Sequence, residues 1–187
     1  MYEFYKINGH VPGKVSKEEQ TKNMLTYLLG NLLGQPGQYD YETTKIEYVL
    51  YLFLLEYASQ YKKFKIPERS ILHNFIFLRT DSGVTEYTYS KYYDEIRKTI
   101  GMCEVPNFRQ TGFNQAEKKK IFKALQNTRM RYLSAPKLEL GCFIKHNLKL
   151  MREAKFLEPL SLTPENIRRE GQYFIRKRHI LYSLKVR

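Results

Sequence analysis

Apolar residues recur at helical spacing along most of the chain, and each such stretch shows one inward side. Ser16-Lys17-Glu18-Glu19 reads as a capping box, in which hydroxyl and carboxylate satisfy each other's free backbone donors. The helix it opens carries Met24, Leu25, Leu28, Leu29 and Leu32 on one side and stops at the loop Gly34 to Gln38. A second helix is predicted from about Tyr41 to Tyr61, with Ile46, Val49, Leu50, Phe53 and Tyr57 inward. Pro67 is predicted to start a third, in which Ile71, Leu72, Phe75 and Ile76 face inward. A turn and an extended segment follow from Thr80 to Tyr89. A short helix then ends at Gly101, read as a left-handed cap.

The next stretch, Val105 to Pro136, combines seven Lys or Arg residues with one acid, Glu117. Asn114 can cap a helix with Glu117 three residues on. With Ile121 as the reference, Leu125, Thr128 and Tyr132 fall within about 40° of it around that helix. Lys119, Lys123 and Gln126 fall opposite, Lys120 and Asn127 lie beside them, and Lys118 and Arg129 flank the stripe. The pattern predicts a helix that docks by one face and presents cations on another. A further helix is predicted from about Leu138 to Phe156, with Phe143, Ile144, Leu148 and Met151 inward. Thr163-Pro164-Glu165-Asn166 starts a short one with Pro at its first position. Before all of these, Tyr2 to Ile7 reads as a short strand followed by a turn. The fold class expected is mainly α.

Charge changes the picture by where it sits. Residues 1–100 hold 13 Lys and Arg against 12 Asp and Glu, whereas residues 101–187 hold 19 against 7. Most of the +13 formal charge therefore belongs to the back half, which points to a polyanionic partner. In the C-terminal stretch Arg168, Arg169, Arg176, Lys177, Arg178, Lys185 and Arg187 interleave with Tyr173, Phe174 and Tyr182. Cations release counterions from phosphates, and interleaved aromatics suit unstacked bases. No stretch approaches the roughly 18 uncharged apolar residues of a membrane span. The first ten residues have neither the apolar core of a signal peptide nor the Arg/Ser bias of a presequence, so the chain is expected to be uncleaved, mature or made where it works.

Catalytic chemistry finds little support. His10, His73, His146 and His179 are scattered, and Cys103 and Cys142, in no metal-ligand spacing, are expected to be buried free thiols. Nucleotide-binding and hydrolase motifs are missing, so the chain is expected not to be an enzyme and to use no cofactor or metal. The alternative to RNA binding is a DNA-binding winged-helix regulator or replication protein, with Ile66 to Ile100 as a helix-turn-helix. Its second helix carries Asp94 and Glu95 against only Lys91, Arg97 and Lys98, which makes a poor major-groove helix.

Tyr87 to Pro136 resembles the bacterial-type small-subunit ribosomal protein numbered eighteen. The matching residues are Tyr89, Ile96, Val105, Pro106, Arg109, Thr111, Gly112, Ile121, Ala124, Leu125, Arg129, Leu133 and Pro136. Phe108-Arg109 stands where that family usually has a basic pair, Gln126 and Asn127 where it is usually basic, and Thr128-Arg129 where Ala-Arg is usual. The resemblance implies a small helical ribosomal-protein core at 87–136, a neutral helical extension at 1–86 and a basic helical C-terminal extension at 137–187. It implies a structural constituent of an organellar small ribosomal subunit, not a homo-oligomer and not at a membrane. The expected site is the mitochondrial ribosome in the matrix, with a plastid as the alternative. The implied partners are small-subunit rRNA at the platform, ribosomal protein number six and other small-subunit proteins. The implied rRNA-binding residues are Arg109, Thr111, Lys118, Lys119, Lys120, Lys123, Arg129 and Arg131, joined by Arg176, Lys177 and Arg178 of the basic tail.

Overall fold

A helix with no polar side needs neighbours all round it. Residues 46–59 of the chain meet that description, and in the computed structural model every one of them is buried. The structure describes residues 16–33, 42–61, 65–67, 70–102 and 104–183. The N-terminal strand and turn, the Gly34 to Gln38 loop, Cys103, Lys185 and Arg187 lie outside the described residues.

Helix α1 (Lys17–Leu33) precedes the central α2 (Thr43–Ser59). A 3-10 turn (Ile71–Asn74) leads to the antiparallel pair β1 (Phe77–Arg79) and β2 (Val84–Glu86). Then come α3 (Tyr87–Lys91), α4 (Tyr93–Gly101), two 3-10 turns (Phe108–Thr111, Gln115–Glu117) and α5 (Lys118–Tyr132). Helices α6 (Lys137–Asn147), α7 (Lys149–Glu153), α8 (Pro164–Lys177) and α9 (His179–Ser183) complete the described chain, which is mainly α as expected.

Helix α2 packs against α5, α6, α8 and β2, while α1 packs on α3, α4, α5 and the Phe108 turn. The buried residues form one cluster drawn from all three sequence segments, 1–86, 87–136 and 137–187. The segment read as a neutral extension thus supplies the central helix. Each fully buried Leu or Phe on it contributes about 1.5–3 kcal/mol over leaving it exposed. Helix α8 approaches α2 closely at Gly171, where a Cβ would stand 2.8 Å from Ser59 N and 3.0 Å from Leu55 O.

The expected inward residues of α1, α2, α5 and the α6–α7 segment are buried. At the start of α1, Ser16 Oγ accepts from the Glu19 N–H, while the Glu19 carboxylate pairs with Lys22. The helix predicted at Pro67 is replaced by the 3-10 turn and hairpin, and Ile76 is exposed. The cause is non-local. Leu78 pairs with Thr85, and Glu86 accepts from the Ile76 and Tyr89 N–H groups. Among the described residues of Ile66 to Ile100, a 3-10 turn and a short strand therefore stand where the helix-turn-helix reading needs its first helix. Gly101 is helical rather than a left-handed cap, since Met102 follows it with its N–H still bonded to Lys98 O. The Leu138 to Phe156 helix is broken at Leu148, which is extended (φ −100°, ψ 131°), where Glu170 accepts from the Leu150 N–H.

Candidate nucleic-acid interface

Positive charge on α5 is separated by depth. The helix carries Lys118, Lys119, Lys120, Lys123, Arg129 and Arg131 and no acid. Its stripe of Ile121, Leu125, Thr128 and Tyr132 is buried against α2 as the spacing predicts, which leaves the other side to solvent. Lys118, Lys119, Lys123 and Arg129 are exposed there, with Gln126, Phe122 and Met130 among them. The side chains of Lys119, Lys123 and Arg129 have no hydrogen bond or ion pair to any described residue.

The turn before the helix places Arg109. Asn107 caps it, accepting from the Arg109 and Gln110 N–H groups while Gln110 Oε1 accepts from the Asn107 N–H. Gly112 closes the turn at φ 71°, a left-handed conformation that disfavours a side chain. Arg109 is exposed at this turn. Phe108 points the other way, into a cluster with Tyr27 at 5.9 Å and Phe113 at 5.5 Å between ring centroids. It also stacks on Phe122 at 6.2 Å and 21°. Lys118 Nζ lies 5.3 Å from the Phe108 centroid and 5.8 Å from that of Phe122. The turn and the cationic face are therefore fixed to each other by packing.

Of the expected contact residues, Thr111 points inward, and Arg131 and Arg178 lean on a buried acid. Thr111 is 0% exposed, and its hydroxyl donates to Phe108 O at 2.7 Å and accepts from the Phe113 N–H. It shapes the turn and offers no atom to RNA, a correction to the expected role. Arg131 and Arg178 both reach Glu56, which is 1% exposed. Arg178 Nη1 donates to Glu56 Oε1 at 2.9 Å, Tyr132 Oη donates to the same oxygen at 2.7 Å, and Asn127 Nδ2 donates to Oε2 at 3.0 Å. This buried carboxylate ties Arg178 by a hydrogen bond and draws Arg131 to an ion-pair distance of 3.5 Å, while the two side chains stay 23% and 29% exposed.

The remaining tail cations are mixed. Arg176 is exposed, and Lys177 lies half-buried with Nζ 6.0 Å from the Tyr173 centroid. Arg168 and Arg169 both pair with Glu165, whose carboxyl they hold below its ordinary value. Lys120 is half-buried, with Nζ 4.9 Å from the Tyr61 centroid. Beneath it Glu117 is buried and accepts from the Tyr57 and Tyr61 hydroxyls, in place of the capping role expected of it. Burial pushes the Glu117 carboxyl up to about 7, against the opposing charge of Lys120. Asn114 accepts from the Ala116 N–H at 3.0 Å, so the helix start is capped as predicted at Asn114 but through a 3-10 turn.

Two features escaped the sequence. Phe122 sits exposed amid the cations, a position that its place outside the apolar stripe, between Lys118 and Gln126, could have flagged. Cys142, expected to be buried, is exposed and lines a cleft of about 350 Å³ with Tyr48, Asp81, Lys137, Lys145 and His146. The i, i+4 spacing of Cys142 and His146 was the available signal. Among the described residues no hydrogen bond joins the two, no group of His, Cys, Asp and Glu side chains could hold a metal, and no helix is long and apolar enough to cross a membrane.

Fold and site together define a mainly α protein with one acid-free cationic helix face anchored on a central apolar helix. No protein-family model, curated protein or solved structure matches the chain.

Proposed function

We propose that this chain is a non-catalytic RNA-binding protein that engages phosphates through α5 and the Arg109 turn. The observation that carries the reading is the exposed face of Lys118, Lys119, Lys123 and Arg129 on a helix without a single acid. An isolated surface charge is usually met by a counter-charge or dispersed by mixing with acids. Here the acids that could neutralise the face are buried beneath it or engaged elsewhere, as Glu117 and Glu56 are. The contact set is narrowed to Arg109, Lys118, Lys119, Lys120, Lys123 and Arg129, with Arg176 and Lys177 of the tail as secondary contacts.

The resemblance of Tyr87 to Pro136 supports a particular particle, the small ribosomal subunit of an organelle. The partners would be small-subunit rRNA and neighbouring ribosomal proteins, ribosomal protein number six among them, and mitochondria the site. Sedimentation of a native lysate tests both levels. Co-migration with small-subunit particles that survives moderate salt is expected. A chain found only at the top of the gradient overturns the ribosomal reading. A chain that neither sediments with a particle nor co-purifies with RNA overturns the RNA-binding reading as well.

A further inference from the structure

A helix face that only neutralises phosphate has no use for a large exposed aromatic ring at its centre. Phe122 is 42% exposed, and around the α5 axis Lys118, Gln126 and Arg129 lie within about 40° of it. Lys119 and Lys123 follow within about 100° on one side. The ring is also held. It stacks on Phe108 at 21°, and Phe108 is wedged against Tyr27 and Phe113 in the core. Lys118 Nζ stands within 5.8 Å of the Phe122 centroid, so a cation and a fixed ring already share one spot. A pre-positioned ring beside free cations is the arrangement that holds single strands, where cations follow the backbone and a ring receives a base. A regular RNA duplex offers no free base face, and what it presents to side chains is phosphates and 2′-hydroxyls.

We propose that Phe122 is the stacking platform for an unpaired RNA base, with Lys119, Lys123 and Arg129 on the flanking phosphates. The inference rests on the RNA-binding reading above and deepens it: the RNA engaged is a loop, bulge or single strand, not a continuous duplex. Phe108 behind the ring is a positioning residue, since it is buried and keeps the ring from folding down onto the helix.

The test uses the full chain with an unstructured oligoribonucleotide and an RNA duplex of the same length, titrated by anisotropy at several salt concentrations. Phe122→Ala is expected to lose about tenfold or more in affinity for the single strand. Its salt slope should stay that of the natural chain, because every cation is still in place. On the duplex the change should be less than about twofold. Phe122→Leu keeps an apolar group against Phe108 but has no ring, and should lose affinity as the Ala variant does; this separates stacking from simple loosening of the helix. The chain contains no Trp, so Phe122→Trp creates a single indole, which the single strand should quench with affinity retained. Unchanged single-strand affinity in the Ala and Leu variants, equal losses on both RNAs, or an unquenched indole overturns the stacking assignment while leaving RNA binding in place. A natural chain that binds neither RNA overturns the RNA-binding reading itself, and the stacking assignment with it.

Discussion

Helix α5 and helix α8 enter the sequence as similar basic elements, and folding gives their charges different surroundings. On α8, Arg168 and Arg169 close on Glu165, Lys177 lies over Tyr173, and Arg178 just beyond its end reaches the buried Glu56. On α5 only Arg131 is drawn inward to Glu56, and Lys119, Lys123 and Arg129 remain open to solvent. Counting cations, six on α5 and four on α8, marks both elements as basic. Counting the acids that meet them separates a structural element from a binding face, because a pair already made releases no counterion when a phosphate arrives.

The largest effect expected comes from breaking what the two helices share. Glu56→Ala removes the acceptor of Tyr132, Asn127 and Arg178 and leaves Arg131 half-buried beside them. Such a loss costs about 3–5 kcal/mol, readable by denaturant unfolding, and a cost under about 1 kcal/mol would show that Glu56 does not tie α8 to α5. Thr111→Val keeps the shape of the buried turn but removes its two hydrogen bonds. A loss of about 1–2 kcal/mol in stability is expected with the RNA affinity of the folded variant intact, whereas a selective loss of RNA affinity would restore Thr111 to the binding surface.

A smaller effect concerns Glu117 beneath α5. Its folded-state value of about 7 lies above the ordinary 4.5, so the folded chain holds the extra proton between those values. Stability from this group is therefore full below about 4.5 and lost as pH rises through about 7. Glu117→Gln, neutral throughout, should gain thermal stability relative to the natural chain as pH rises across that window. A constant difference in Tm with pH would contradict the assignment. The smallest effect sharpens the comparison from the other side. Arg168→Gln with Arg169→Gln disrupts pairs to Glu165 at the surface and should change stability by no more than about 1 kcal/mol and RNA affinity little.

What the sequence made legible follows from the range of the forces involved. The α5 stripe and the capping residues Ser16, Asn114 and Thr163 are local, since each acts within a turn of its own position. The burial of α2 on every side was only half legible: five inward residues mark one face, but Tyr48, Tyr51, Leu52, Leu54 and Leu55 are buried by helices far along the chain. Ile71, Leu72, Phe75 and Ile76 fit helical spacing, yet Ile71–Asn74 forms a 3-10 turn and the pairing of Phe77–Arg79 with β2 lies just beyond, a tertiary cue that spacing does not carry. At the candidate site, spacing identified the open cations of α5, but Glu56 and its claim on Arg131 and Arg178 depend on tertiary contact alone.

The central claim is that the open cations of α5 carry the RNA affinity. Its most direct measurement is the salt dependence of RNA binding for the natural chain and for the variant Lys119→Gln, Lys123→Gln, Arg129→Gln, both confirmed as folded. Removing one cation from a phosphate should flatten the slope of log affinity against log salt by roughly 0.7–0.9, so the triple variant should be flatter by about 2–3. A triple variant with the natural slope would contradict the claim and place the interface elsewhere on the molecule.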